Sequence, residues 1–339
     1  MKPYLDSTGI VGDASELKRR MDRDGYLYVR GLLPRGLLEE LRLKWLAVLE
    51  EVGWVKDGAG EEGTANLEAF CVEPERPYME VMTRVLSIMQ FQSIQHQPDL
   101  LAVVERLVGG KVLPHPRLIG RTIFPQKVEY TTPPHQDWVP IQGTAETYTA
   151  WFPVSDLAGE MGGLQLSSGS HRGGVYEFRP ALGAGGMEVT DKLPGEWVHN
   201  PVEQGDVLFF HSHMVHKGVA NRSNRLRLSM DARFQRVDQP IAPGSLEPHG
   251  KEVRNWEQVY ADWPADSPLK YYWRKFPLTI QPFDPSYFET RDRLGLELGA
   301  AGDPRARSVL QRIVARDTDP AKRARAASLL AQLEQHAGN

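Results

Sequence analysis

The chain has a single cysteine, Cys71, among 339 residues, so no disulfide can form within it. One thiol fits a reducing compartment, where structural disulfides are rare. No apolar run approaches the roughly 20 residues that a membrane-spanning helix needs. Met1 to Arg20 mixes charged with apolar residues and lacks the apolar centre of a secretory signal. A cytoplasmic protein with no membrane partner is therefore expected. Neither sign of charge dominates: 40 Lys and Arg stand against 44 Asp and Glu, a formal net charge of -4. That balance argues against general affinity for nucleic acid, while leaving room for a local basic pocket. Internal repeats and low-complexity segments are also missing.

What is present reads as an ordinary globular chain, long enough for one large domain or two small ones. Asp13 is placed to cap a helix carrying Leu17 and Met21. Tyr26 to Val29 is a short β-prone run, and an amphipathic helix with Leu38, Leu41, Trp45 and Leu49 follows Pro34. Further helices are predicted around Tyr78–Met89 and Leu100–Val108, the second closed by Gly109-Gly110. From Arg117 to about Gln235 the texture changes to short strands between turns: Leu118–Phe124, Tyr148–Val154, Gly163–Leu166, Val207–Phe210 and Leu226–Phe234. Strands this short suggest a sandwich or barrel. The last alternates Leu226, Leu228, Met230 and Ala232 against Arg227, Ser229, Asp231 and Arg233, so its polar face is a candidate site lining. After about Ile241 come an aromatic-rich segment, Trp256 to Trp273, and a helical hairpin started by Asp303-Pro304 and Asp319-Pro320.

The chemistry concentrates at His135-Gln136-Asp137. In an extended strand, residues two apart share a face, so His135 and Asp137 can reach one ion while Gln136 points away. A second histidine from a distant strand would give two imidazoles and one carboxylate on one side of a metal, the pattern of non-haem Fe(II) oxygenases. Three candidates lie close together: His211, His213 and His216. In a strand continuing from Val207, the first two share a face and His216 takes the other.

Several ordered motifs are similar to the phytanoyl-CoA dioxygenase family of Fe(II)- and 2-oxoglutarate-dependent oxygenases. They run from Asp24-Gly25-Tyr26-Leu27-Tyr28-Val29-Arg30-Gly31 through Pro134-His135-Gln136-Asp137-Trp138. They continue with Ala150-Trp151, Gly163 and Gly169-Ser170-His171-Arg172. Gly205-Asp206-Val207-Leu208-Phe209-Phe210-His211, then His216, Asn221-Arg222-Ser223 and Arg227, complete the set. The resemblance spans most of residues 22–235 and is loose after about 245. It implies a double-stranded β-helix (jelly-roll, cupin-like) core in a mainly β, α+β fold with flanking helices. It also implies Fe(II), 2-oxoglutarate as cosubstrate and O₂. By position, His135, Asp137 and His216 become the catalytic iron ligands and Arg227 the partner of the far carboxylate of 2-oxoglutarate. A guanidinium fork matches a carboxylate with two parallel bonds, which a lysine cannot do. Ser229, on the same strand face, can add a hydroxyl there. Trp151 stands where the family has an aromatic residue near the cosubstrate. The spacing to Asn221 and Arg227 favours His216 as distal ligand. Arg225 shares a face with Arg227, but the eleven-residue spacing favours the latter.

Two departures from the family pattern stand out. Gly218 occupies the position, two after the distal histidine, that often carries Ser or Thr. Ser168 replaces the proline usual before Gly169-Ser170-His171. Halogenation is disfavoured, because related halogenases replace the carboxylate that Asp137 supplies with a small residue.

The expected organisation is an oxygenase domain over 1–245, helical over residues 1–116 and with a β-helix core over 117–238. An aromatic-rich and helical extension over 246–339 packs on it. The expected reaction is hydroxylation of a C–H bond in a small molecule with release of succinate and CO₂, by a monomer or homodimer. Candidate substrate residues are Arg117, Arg121, Trp138 and Arg233, with an anionic substrate if one of the arginines holds it; an exposed arginine pair is the plainer reading of the first two. His171 is expected to be structural in its turn, His211 packed or hydrogen-bonded, and the aromatic segment mainly packing. The competing functions are a cupin-like metal enzyme of non-oxidative chemistry and a non-catalytic binding protein. The first has no need for a carboxylate clamp eleven residues after its last ligand, and an intact ligand set and clamp argue against the second as a decayed site.

Overall fold

The computed structural model describes residues 2–157 and 159–337. Asp13 does cap α1 (Ala14–Asp24), accepting from the backbone N–H groups of Ser15 and Glu16, and Gly25 ends it in the left-handed region at φ 78°. β1 (Tyr26–Val29), α2 (Arg35–Glu51), α3 (Arg76–Leu86), α4 (Met89–Ser93) and α5 (Pro98–Val108) follow. Next come β2 (Val112–Pro114), β3 (Ile119–Ile123), the one-turn α6 (Trp138–Ile141), β4 (Tyr148–Pro153) and β5 (Gly163–Ser167). β6 (Phe178–Pro180) and β7 (Met187–Val189) pair as a separate hairpin. β8 (Trp197–Val198), β9 (Val207–His211), β10 (His216–Val219) and β11 (Arg227–Arg236) complete the strands. α7 (Trp256–Val259), α8 (Ser286–Ala300), α9 (Arg307–Arg316) and α10 (Pro320–Ala337) end the described chain. No helix among the described residues is long and apolar enough to cross a membrane.

The strands form an antiparallel sheet in the order β1-β9-β4-β11-β2, with β3 also on β11, and a smaller sheet β10-β5-β8. This bears out the β core with flanking helices expected from the sequence, and its paired strands are antiparallel. Side-chain alternation assigns each face of the large sheet. Leu27, Val29, Val207, Phe209, Ala150, Phe152, Leu228 and Met230 point outward into one apolar cluster with α1 to α5. Tyr26, Tyr28, Trp151, Leu208 and Phe210 point inward and meet Leu166 and Val198 of the small sheet. Both faces of β11 are thus covered, and nine of its ten residues are buried. Its polar members Arg227, Ser229, Asp231 and Arg233 are forced into the space between the sheets, as the alternation predicts.

Three expectations need correction. Val207 does not begin a strand that reaches His216: the chain turns after His211, and β10 belongs to the other sheet. The parity argument therefore does not apply to the three histidines. Nor is His135-Gln136-Asp137 a regular strand. His135 makes an isolated bridge to His216, while Asp137 has helical dihedrals (φ -66°, ψ -29°) and stands immediately before α6. At the C-terminus the hairpin gains a third helix, α8, whose Gly295 and Gly299 allow α9 to approach closely. The segment Trp256 to Trp273 packs with Leu113 and Ile241, as a packing role requires.

Candidate metal and cosubstrate site

His135 and His216 face each other across two backbone hydrogen bonds, His135 N–H to His216 O at 2.9 Å and the reverse at 3.0 Å. That pairing brings their rings to 4.2 Å between centroids. Each Nδ1 lies near a backbone carbonyl, Pro133 O at 2.9 Å for His135 and Met214 O at 3.0 Å for His216. A proton on Nδ1 donated to that carbonyl leaves the Nε2 lone pair for a metal. Burial pushes the pKa of His135 down to about 3, the neighbouring His216 adding to it, and lowers that of His216 as well. Both imidazoles are thus held in the neutral, ligating form.

Asp137 completes the group. Its Oδ1 lies 3.8 Å from His216 Nε2 and 4.0 Å from His135 Nε2. Its Oδ2 is taken by Thr149 Oγ1 at 2.7 Å and by the Arg233 guanidinium at 3.2 Å. Burial alone would raise this carboxyl's pKa; Arg233, together with the two neighbouring imidazoles and the Thr149 hydroxyl, outweighs it and keeps the group ionised well below the usual range. One donor atom from each of the three residues lies within 4.8 Å of the other two, the only such group among the described residues. Two neutral imidazoles and one oriented carboxylate oxygen suit a divalent first-row metal. Gln136, between His135 and Asp137, is buried and anchors this segment: its amide nitrogen donates to Gly174 O and His213 O, and its oxygen accepts from Tyr176 N–H.

Arg227 is buried, and one terminal nitrogen donates to Val219 O at 2.8 Å and Met161 O at 3.3 Å. Those carbonyls carry no charge to balance it, and its Nε has no partner. Ser229, two residues along the same face, is fully buried with its hydroxyl also unpaired. Burial lowers the guanidinium to about 10, so it stays charged near neutrality. A charged fork and a hydroxyl, both buried and both short of acceptors, fit an incoming carboxylate. The guanidinium lines a small cleft with Phe70, Tyr130, Thr131 and Thr132. Trp151 is buried on the inner face of β4 and packs near Gly163. Arg225, by contrast, is exposed. At Gly218 an added Cβ would stand 3.3 Å from the Thr131 methyl, so the small residue matches a close approach of the segment before His135.

The other candidates separate. Arg233 touches a proposed ligand, Asp137, directly. Arg121 lies between Asp231 (2.8 Å) and Glu73 (3.4 Å). Arg117 donates to Gly244 O and contacts His249 Nδ1 at 3.1 Å, away from the three ligands. Trp138 packs edge-on against His213 and Tyr287. His211 Nδ1 accepts from the His213 backbone, and His171 packs on Gly25, both outside the metal group. Thr149, Gln136, Glu73 and Tyr287 were not singled out in the sequence. Only Gln136 carried a signal, since it stands between two ligands.

A family model for phytanoyl-CoA dioxygenase (PhyH) matches residues 21–229. The 1-deoxypentalenic acid 11-beta-hydroxylase of Streptomyces arenae is 29% identical over 267 residues, covering 74% of this chain and 92% of that protein. The peroxisomal phytanoyl-CoA dioxygenase of Homo sapiens is 21% identical over 236 residues, covering 66% and 68%. Among solved structures, the epimerase SnoN in complex with Fe3+, alpha ketoglutarate and nogalamycin RO aligns at a TM-score of 0.47 and 23% identity, covering 68% of this chain and 87% of that one.

Proposed function

The chain belongs to the phytanoyl-CoA dioxygenase family, and from that premise we propose that His135, Asp137 and His216 hold its ferrous ion while Arg227 and Ser229 hold 2-oxoglutarate. The protein is an Fe(II)- and 2-oxoglutarate-dependent oxygenase acting on a small molecule. The observation that carries the residue assignment is the pair of unsatisfied groups, Arg227 Nε and Ser229 Oγ, on the strand that also carries Arg233 beside the ligand Asp137.

When bound, the iron with 2-oxoglutarate and O₂ supplies the oxidising power that breaks a C–H bond, 2-oxoglutarate leaving as succinate and CO₂. The chain's own work is positional. The two Nδ1–carbonyl contacts fix the imidazole orientation. Thr149 and Arg233 occupy Oδ2, so that Asp137 offers Oδ1 alone. Arg227 and Ser229 set how far the cosubstrate enters, and Trp151 fills the space between the sheets. Hydroxylation is the outcome proposed, in keeping with the hydroxylase named among the relatives. We further propose residues 1–245 as the oxygenase unit and 246–339 as an extension packed on it. The setting proposed is the cytoplasm, as monomer or homodimer without nucleic-acid or membrane partners.

Metal binding tests the ligand assignment. The wild type should take up one equivalent of Mn(II), as a redox-stable substitute for Fe(II). His135→Ala, Asp137→Ala and His216→Ala should each lose at least a hundredfold in affinity. Unchanged affinity in any one of the three would remove that residue from the set.

A further inference from the structure

Near the metal group lies a second, half-buried cluster that the reaction does not use, in which Arg312 and Arg316 of α9 meet Glu73, Arg117, Arg121 and His249. Its centre is the Glu73 carboxylate. Arg121 approaches it at 3.4 Å, His249 at 3.5 Å and Arg316 at 3.6 Å. Arg312, one turn before Arg316 on α9, also acts on Glu73. Arg117 stands behind His249, its guanidinium 3.1 Å from Nδ1, so the imidazole proton belongs on Nε2. That Nε2 is buried and has only the Glu73 carboxylate, at 3.5 Å and outside hydrogen-bond geometry; Arg316 Nε has only Glu252 at 3.4 Å, and Arg312 Nε has no partner.

The charges do not balance. Arg121 has Asp231 at 2.8 Å, and Arg316 has Glu252 at 3.4 Å on the rim. With Glu73, that makes three carboxylates against the four guanidinium groups of Arg117, Arg121, Arg312 and Arg316. The adjoining pairs do not supply the missing charge: Arg291 and Lys322 are matched by Asp292 and Asp317. Arg117 and Arg312 form no ion pair among the described residues. Burial lowers Arg117 to about 10 and Arg312 to about 9, so both remain charged near neutrality. Arg117 and Arg312 are half-buried, and a partly desolvated charge without a counter-ion favours an arriving anion. The cluster also adjoins the chemistry, since Asp231, which holds Arg121, is on β11 two residues from Arg233 and shares its face.

We propose that this cation-rich wall receives the carboxylate of a monoanionic small-molecule substrate, so that α9 of the C-terminal extension takes part in substrate recognition. The inference rests on the oxygenase reading for the word substrate, but the anion site itself needs no metal. A monocarboxylate supplies the one missing negative charge and accepts from the unsatisfied donors. Glu73 keeps the preference to a single charge by opposing a second.

The test is calorimetric binding of octanoate, cinnamate and adamantane-1-carboxylate, each beside its primary amide, to the full chain. Titrations are run with and without Mn(II) and 2-oxoglutarate. At least one carboxylate should bind tenfold or more tighter than its amide. Arg312→Gln should abolish that preference while leaving amide and Mn(II) binding alone. Glu73→Gln should strengthen carboxylate binding several-fold, which a purely structural ion network would not do. Arg227→Ala should leave the preference in place. No carboxylate preference in any pair, a preference unchanged by Arg312→Gln, or one lost in Arg227→Ala would each overturn the inference. Failure of Mn(II) binding alone would instead refute the metal assignment and leave the anion site standing.

Discussion

The two carboxylate oxygens of Asp137 have different surroundings, Oδ1 facing His135 and His216 and Oδ2 facing Thr149 and Arg233, and the sequence disclosed only the first. The H-x-D spacing pointed to a metal-facing oxygen because His135 and Asp137 are chemically recognisable ligands. It was silent on Thr149, which contacts the other oxygen at 2.7 Å from a different strand. A threonine in a β-prone run carries no signal of its own. Second partners of this kind typically govern metal affinity by 10- to 100-fold. Thr149→Val and Arg233→Gln are therefore each expected to weaken Mn(II) binding by about tenfold or more, with Arg233→Lys recovering some of the loss. Equal affinity in all three would show that Asp137 is held by the backbone alone. Arg227 was legible for a different reason, through the family resemblance and its eleven-residue spacing from His216. Arg227→Lys keeps the charge but loses the fork, and its 2-oxoglutarate Kd should rise at least tenfold with Mn(II) affinity unchanged. A rise in both constants would instead indicate damage to the whole site.

At the level of elements, most strands and helices with strong periodicity were read to within one or two residues, while the helix expected around Tyr78–Met89 ends at Leu86 and Met89 starts another. What failed were breaks in the backbone. His211 and His216 looked like one continuous strand because nothing in Ser212 to Val215 is a strong breaker, yet the chain crosses there from the large sheet to the small one. The crossing places His216 opposite His135. α8 was missed because Gly295 and Gly299 lower helix propensity. Their purpose is visible only in packing: a Cβ on Gly295 would stand 2.4 Å from Val309 Cγ1 of α9. Gly295→Ala should gain about 1 kcal/mol of helix propensity and lose about 1–3 kcal/mol to overpacking. Net destabilisation is the expected result in thermal unfolding, with partial rescue by adding Val309→Ala. Stabilisation by Gly295→Ala alone would mean that the two helices separate without cost.

For the whole molecule, the sheet alternation explains how the chain buries so many polar groups: helices cover the outer face and the small sheet covers the inner one. The same burial makes stability depend on pH. His115 is fully buried, with Nε2 2.9 Å from Gln235 Oε1, and burial pushes its pKa down to about 3. In the unfolded chain it takes a proton near pH 6.5. The unfolded state thus binds one more proton between those two values. The stabilising contribution is complete above about pH 6.5 and falls towards pH 3 by up to about 1.4 kcal/mol per pH unit. Denaturant titrations of His115→Asn should show a shallower pH slope than wild type over this window. Parallel slopes would place the proton uptake on other groups. Nothing in the composition marked His115 out among ten histidines; its burial is a property of the assembled fold.

In the proposed function His135, Asp137, His216 and Arg227 together hold Fe(II) and 2-oxoglutarate. The most direct test is anaerobic titration of the protein with both, following the weak visible charge-transfer band of the chelate. The wild type should develop the band. His216→Ala should lose it, and Arg227→Ala should show it only at much higher 2-oxoglutarate. No band in metal-loaded wild-type protein, or full bands in both variants, would contradict the assignment.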